Sequence, residues 1–224
     1  MIHHDIRVSD TDAHFACASD DTLLRAGLRA GLGLPYECST GTCGTCRYTL
    51  VEGEVDNLWP EATGLNDRDR RKGRMLACQS RPTGDCVVKL NLDQRYVPKI
   101  EPEAHAATFV EQRRVTRDIS EFHFRTATPA GFLPGQYAVL EIDDVQGQRA
   151  YSMSNLANAD GRWEFQIKLV DGGAATEYLF DRLGAGQTIG LDGPYGLAYL
   201  REDSPHAIIG IAGGSGLSPI YSIA

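Results

Sequence analysis

No stretch of this 224-residue sequence approaches the roughly 18 uninterrupted apolar residues of a membrane span, and its opening, MIHHDIRVSD, has no apolar run. A membrane-embedded chain is therefore not expected, and a cytoplasmic one is. Positive charge is in short supply: 22 Lys and Arg against 30 Asp and Glu leave a net charge of -8. That deficit argues against nucleic acid as a partner. Internal repeats are absent, and so is any DNA-binding element. Cysteine is scarce, six in all, which in a reducing compartment argues against a disulfide framework and for metal binding or catalysis.

What is present describes a globular protein of one to two domains: 42% hydrophobic residues, 23% charged and 24 glycines. DIRVSD and HFACASD predict a hairpin turning at Asp10 to Asp12, with His3 and His4 as exposed residues at a strand start. DDTLLRAGLRAGLGLP predicts a helix capped by Asp20 or Asp21, with Leu24, Leu28 and Leu32 on one face and Gly33 and Pro35 ending it. CRYTLVEGEVD and GDCVVKLNL read as strands, and the charged LNDRDRRKGR between them as helical, giving a small α+β domain over residues 1–97. Two prolines and no periodicity mark residues 98–106 as a linker. Residues 107–204 hold six short strands, TFVEQRRVT, EFHFRTA, YAVLEID, RAYSMSN, WEFQIKLV and QTIGLDG, interrupted by one helix, ATEYLFDRL. Such spacing predicts an antiparallel barrel. Residues 205–224 switch to an apolar strand, a glycine loop and a helix start.

Half of the cysteines crowd into YECSTGTCGTCRYTL. Cys38, Cys43 and Cys46 are spaced C-x4-C-x2-C, and Cys78 follows in RMLACQS. That is the plant-type pattern of a [2Fe-2S] cluster, whose two irons and two sulfides need four thiolates. Gly41 and Gly44 let the loop backbone approach closely and turn its N–H groups toward sulfur. Zinc also takes four cysteines, but usually as two C-x2-C knuckles, which this is not. Cys17 and Cys86 lie on predicted strands and read as small apolar residues.

Three motifs follow in the barrel region. PGQYAVL precedes RAYSMSN, in which Arg149, Tyr151 and Ser152 offer a guanidinium for a pyrophosphate, a ring for stacking and a hydroxyl for the edge of a flat heterocycle. KLVDGGAATEYL places Gly172 and Gly173 before a helix, where N–H groups can bind phosphate. GGSGLSP follows an apolar run, the position of a dinucleotide loop. Each alone has a plain alternative as a strand or a turn. Arg68, Arg70, Arg71, Lys72 and Arg74 read first as a solvated helix face, and second as a docking patch for an acidic electron acceptor.

With these residues in order, the chain resembles the NAD(P)H-dependent flavin and iron-sulfur reductase components of bacterial oxygenases, both monooxygenases such as those attacking toluene and ring-hydroxylating dioxygenases. The stretches carrying the likeness are PYECSTGTCGTCRYTLVEGEVDNLWPEATGL, FQIKLVDGG and LDGPYGLAYLR. The resemblance implies a multidomain protein: a β-grasp ferredoxin, a flavin barrel like that of ferredoxin-NADP reductase, and the first strand and loop of an α/β NAD domain. It implies cluster ligation by Cys38, Cys43, Cys46 and Cys78, and FAD held by Gln136, Tyr137, Arg149, Tyr151, Ser152, Ile167, Lys168, Leu169, Gly173, Ala174, Ala175 and Thr176. Arg149 would hold the pyrophosphate, Tyr151 would pack on the isoalloxazine, and Ser152 would bond near N5; Tyr151 and Ser152 are the catalytic pair. Thr176 stands where serine is usual. Gly193, Pro194, Gly213, Gly214, Ser215 and Gly216 fall on the nicotinamide side.

The implied activity takes a hydride from NADH or NADPH on FAD and passes electrons singly through the cluster to an oxygenase component or its Rieske-type ferredoxin. A monomer with no nucleic-acid or membrane partner is expected. Family members continue through a whole α/β domain, so the sequence reads as C-terminally truncated. The alternative for the chain as it stands is a non-enzymatic ferredoxin and flavin module, reduced by dithionite and not by NADH.

Overall fold

The computed structural model describes residues 2–143 and 145–224. The chain divides into two compact units, Met1–Pro102 and Glu103–Ala224.

The first unit opens with β1 (His3–Val8) and β2 (His14–Ala18), an antiparallel hairpin, followed by α1 (Leu23–Arg29). Alternation sets its core: Ile6, Val8, Phe15 and Cys17 point inward against Leu23, Leu24 and Leu28 of α1. Burying each such aliphatic or aromatic side chain stabilises by about 1.5–3 kcal/mol. The helix cap differs from expectation. Thr22, not Asp20 or Asp21, accepts from the Arg25 N–H. Asp21 instead accepts from the Thr22 N–H at 2.7 Å and pairs with Arg25 at 3.1 Å and with Arg29.

After the cysteine loop come β3 (Arg47–Glu52), β4 (Val55–Asn57), α2 (Asp67–Arg71), β5 (Arg74–Leu76), β6 (Ser80–Pro82) and β7 (Cys86–Lys89). The main sheet runs β2-β1-β7-β3-β5, with β1 and β7 parallel and the other pairs antiparallel; β4 and β6 form a separate ribbon. A mixed sheet with the helix of its first crossover packed against it is the α+β arrangement expected.

The second unit contains β8 (Glu103–Arg114), β9 (Ile119–Arg125), β10 (Tyr137–Glu141), β11 (Arg149–Ser152), β12 (Arg162–Lys168), α3 (Ala174–Glu177) and β13 (Thr188–Tyr195). The sheet order is β11-β10-β13-β8-β9-β12, antiparallel throughout. A bridge between Met153 and Phe165 joins its two edges into a barrel. Phe109, Phe122, Phe124, Trp163, Phe165 and Leu140 fill the interior. Residues 103–106, read from sequence as linker, form the start of β8, because they pair with Gly190 to Gly193 of β13. α3 continues as a π-helical turn over Tyr178–Arg182.

The apolar strand expected after residue 205 does not form. Ile208, Ile209 and Ile211 are exposed, and among the described residues no strand pairs with them. The chain instead passes through a 3-10 turn at Gly214–Gly216 into α4 (Leu217–Ile223), whose Ser218 and Ser222 are buried.

Candidate functional site

The cysteine loop brings Cys38, Cys43, Cys46 and Cys78 together as two thiol pairs. Cys46 Sγ and Cys78 Sγ lie 3.3 Å apart and buried. Cys43 bonds through its thiol to Cys38 at the exposed end. The hydrogen bond with Cys43 lowers the Cys38 thiol, and that with Cys78 lowers Cys46. Cys43 and Cys78 rise for the same reason, with burial adding to the effect. Backbone N–H groups of Thr40 and Cys43 donate to Cys38 Sγ, and that of Thr45 to Cys43 Sγ, each at 3.4 Å. Such donors favour thiolate over thiol.

Two glycines make the loop close enough. Gly44 has φ +78°, and a Cβ there would sit 2.2 Å from the Gly64 carbonyl oxygen. Gly64 in turn donates to the Gly41 carbonyl at 2.9 Å. Residues 60–65 thus brace the loop, and Arg70 holds them by bonding the carbonyls of Pro60 and Ala62. Asp69 lies buried between Arg74 at 2.7 Å and Arg47 at 3.2 Å. Burial opposes its ionisation, but the Arg74 bond and both guanidinium charges outweigh that and hold its carboxyl below the usual range. Of the basic run, then, Arg70 and Arg74 have internal partners. Arg68, Arg71 and Lys72 are exposed. Four thiols, donors aimed at sulfur and a backbone without room for side chains fit a [2Fe-2S] cluster. Cys17 and Cys86 lie buried on β2 and β7, and burial pushes the Cys17 thiol up to about 12.

In the barrel, β10 and β11 pair so that Tyr137 faces Ser152 and Leu140 faces Arg149. The Arg149 guanidinium is exposed, bonded to the Gln148 carbonyl at 3.0 Å. Tyr151 and Ser152 are half-buried beside it. Burial raises the Tyr151 phenol against the opposing charge of Arg149, so it remains a neutral donor. A cation, a ring and a hydroxyl along one strand fit a flavin and its pyrophosphate. Gly173 caps α3 without a side-chain bond, and Ala174 is exposed at its first turn.

The other expected residues are placed as follows. The Gln136 side chain is buried, accepting from the Leu133 N–H at 2.8 Å and donating to the Gly196 carbonyl at 3.4 Å, so it holds the chain against β13. Ile167 and Ala175 point into the core. The Thr176 hydroxyl bonds Val170 and Gly173, shaping the turn. Lys168 pairs with Asp118 at 3.4 Å, and Leu169 is exposed. Gly193 and Pro194 are buried at the end of β13, and Gly213, Gly214, Ser215 and Gly216 are exposed.

Sequence reading missed Ser218 and Ser222. Ser218 donates to the Ser152 carbonyl at 2.6 Å, and Ser222 accepts from the Gly135 N–H at 3.0 Å. These bonds tie α4 to the strand that carries Ser152 and to the turn before β10. Their i, i+4 spacing in LSPIYSIA was the available signal.

Residues 6–83 match the model of the 2Fe-2S iron-sulfur cluster binding domain, and residues 106–199 that of the oxidoreductase FAD-binding domain. Over 210 residues the chain is 45% identical to the ferredoxin–NAD(+) reductase component of an alkene monooxygenase system from Xanthobacter autotrophicus, and 42% identical to a ferredoxin–NAD(P)(+) reductase of Metapseudomonas resinovorans. In both cases the match takes in 93% of this chain and 64% of the relative, so the chain spans less than two thirds of their length. The solved ferredoxin reductase in carbazole 1,9a-dioxygenase superposes with a TM-score of 0.96 at 40% identity, over 100% of this chain and 70% of that one. An Amycolatopsis cytochrome P450 reductase superposes with a TM-score of 0.80 at 34% identity, over 98% of this chain and 66% of that one. With four clustered thiols in one unit and a closed antiparallel barrel in the other, the chain belongs to the family of ferredoxin reductases that join a 2Fe-2S domain to an FAD-binding domain.

Proposed function

We propose that the protein containing this chain oxidises NADH or NADPH and passes the electrons to an oxygenase component or its Rieske-type ferredoxin, acting as a cytoplasmic monomer. The observation that carries this reading is the pairing, in one chain, of a four-thiol cluster loop with an Arg149-Tyr151-Ser152 strand. Its domains would be the ferredoxin over 1–97, a linker over 98–102, the flavin barrel over 103–204 and a nucleotide-binding part from 205. Among the described residues no helix is long and apolar enough to cross a membrane.

Flavin accepts two electrons with a hydride and releases them singly, and an iron-sulfur cluster carries one. Each part of the chain serves that conversion by binding and orienting. Arg149 supplies a charge-assisted contact for the pyrophosphate, an interaction of about 1.5–3 kcal/mol. Tyr151 offers its ring for packing, while Ser152 is held by the bond from Ser218 to its carbonyl. Gly193, Pro194 and the Gly213 to Gly216 loop would border the nicotinamide. Cys43 is exposed and Cys38 half-buried, whereas Cys46 and Cys78 lie in the core. The acceptor would therefore approach the Cys38 and Cys43 end, and exposed Arg68, Arg71 and Lys72 offer charge for an acidic one.

The test is anaerobic spectroscopy of the protein with cluster and FAD in place. NADH is expected to bleach both chromophores, and added Rieske-type ferredoxin or oxygenase to restore them. Bleaching by dithionite alone would overturn the reductase reading in favour of a passive carrier.

A further inference from the structure

The outer face of the flavin barrel carries ionisable side chains that neither the cysteine loop nor the flavin strand uses. Sheet register assembles them. Glu111 of β8 lies opposite His123 of β9, His123 opposite Glu164 of β12, and Glu121 opposite Gln166. Since Phe122, Phe124, Trp163 and Phe165 point into the core, their neighbours point outward. Yet these outward side chains are little exposed, at 14% for His123, 17% for Glu121 and 15% for Glu164. One ligand atom from each of the three lies within 4.8 Å of the others. They line a cavity of about 420 Å³, at which Tyr221 of α4 also stands.

We propose that Glu121, His123 and Glu164 form a binding site for a divalent cation of the zinc class. His123 faces a carboxylate with each ring nitrogen, Nε2 toward Glu121 at 3.0 Å and Nδ1 toward Glu111 at 3.6 Å. Without a cation Nε2 hydrogen-bonds Glu121; with one bound at Nε2, the ring proton sits on Nδ1, on the side of Glu111. A carboxylate behind the imidazole is how metal-binding histidines are commonly oriented. One nitrogen and two carboxylate donors leave a fourth tetrahedral position for water. An imidazole among the donors favours zinc over calcium or magnesium, which take oxygen ligands.

Gln166 gives an independent indication. Its side chain is more than nine-tenths buried and donates through Nε2 to Glu121 Oε1 at 3.4 Å, yet its Oε1 has no hydrogen-bond partner. A buried acceptor on the side chain that touches Glu121 thus lacks a donor, which a metal-bound water would supply. Ser154 also donates to Glu121 Oε1, at 3.4 Å, steadying that carboxylate. Arginines compete for the negative charge: Arg113 lies 2.5 Å from Glu111, Arg162 3.5 Å from Glu164, and Arg125 lines the cavity. The Arg162 side chain is half exposed. A cation therefore displaces it into solvent without unpacking the core.

The experiment is calorimetric titration of ZnCl2, with CaCl2 and MgCl2 in parallel, into anaerobic protein carrying its cluster and flavin. One zinc per chain is expected, with Kd of about 1 µM or tighter and no change in cluster or flavin absorbance. His123→Gln and Glu164→Gln should each weaken binding at least about tenfold, and Glu111→Gln about tenfold through the imidazole it orients. Zinc X-ray absorption of the wild-type protein needs no variant and should show nitrogen and oxygen neighbours only. Equal affinity in wild type and both ligand variants would overturn the proposal. So would sulfur neighbours, zinc uptake accompanied by loss of cluster absorbance, or no binding below about 1 mM.

Discussion

Gly44 and Gly73 form a matched pair that separates two costs of adding one methyl group. Both have positive φ, +78° and +64°. Alanine at either position meets the left-handed strain of an L-residue, about 1–2 kcal/mol. At Gly73 nothing lies within 4 Å of the new Cβ, whereas at Gly44 it would meet the Gly64 carbonyl oxygen at 2.2 Å. That oxygen belongs to backbone and cannot rotate away. Gly64 is also held by its bond to the Gly41 carbonyl, so relief requires parting the braced segment from the cysteine loop. Overpacking of this kind adds about 1–3 kcal/mol. In a unit of this size each kcal/mol lowers the melting midpoint by about 4–8 °C. Followed by cluster absorbance during heating, Gly73→Ala should show a single step of that size, and Gly44→Ala at least about twice the drop, with less iron per chain as purified. Equal midpoints and equal iron in the two variants would refute the idea that the 41–44 and 64 backbones must touch for the loop to hold its cluster.

Cys43→Ser and Cys78→Ser should each abolish or distort the EPR signal of the reduced cluster, while Cys17→Ser and Cys86→Ser leave it intact; a signal lost with Cys86→Ser and kept with Cys78→Ser would reverse the assignment. Arg149→Ala should weaken FAD retention about ten- to a hundredfold, measured as flavin content after dialysis. Asp69→Asn tests the ion-pair brace through pH. The folded carboxyl lies below its ordinary value of 3.8, so its contribution is complete above that value and fades as pH falls through the folded one. The stability gap between wild type and Asp69→Asn should therefore be constant from pH 7 to about 5 and narrow below about 4; a gap that widens on acidification would contradict the sign.

What was legible in the sequence depended on how local its cause is. Three cysteines within nine residues announce themselves by spacing, because one loop must wrap one compact anionic group. The barrel strands announce themselves by alternation, as in EFHFR, where Phe122 and Phe124 point in and Glu121 and His123 point out. Where a distant partner decides, reading the chain in order fails. The 103–106 segment looks like linker until β13 pairs with it. Thr22 caps the helix, while Asp21 is engaged by two arginines further along it. The bonds that fix Gln136 and Thr176, to the Leu133 N–H and the Val170 backbone, are likewise not announced by their residue types.

The same reasoning explains why the cluster loop and the outer barrel face differ so much in visibility. Cys38 and Cys46 are neighbours along the chain, so their spacing carries the chemistry. Glu111, Glu121 and His123 sit on one hairpin at ordinary strand spacing, and Glu164 arrives from 41 residues beyond His123. Nothing in their order distinguishes them from a solvated strand face. Only the register, which sets His123 between Glu111 and Glu164, makes a donor set of them. A one-residue slip of β12 would turn Glu164 into the core and Phe165 outward, and the aromatic interior resists that slip. The packing of Trp163 and Phe165 thus positions Glu164 as firmly as any bond to the carboxylate itself.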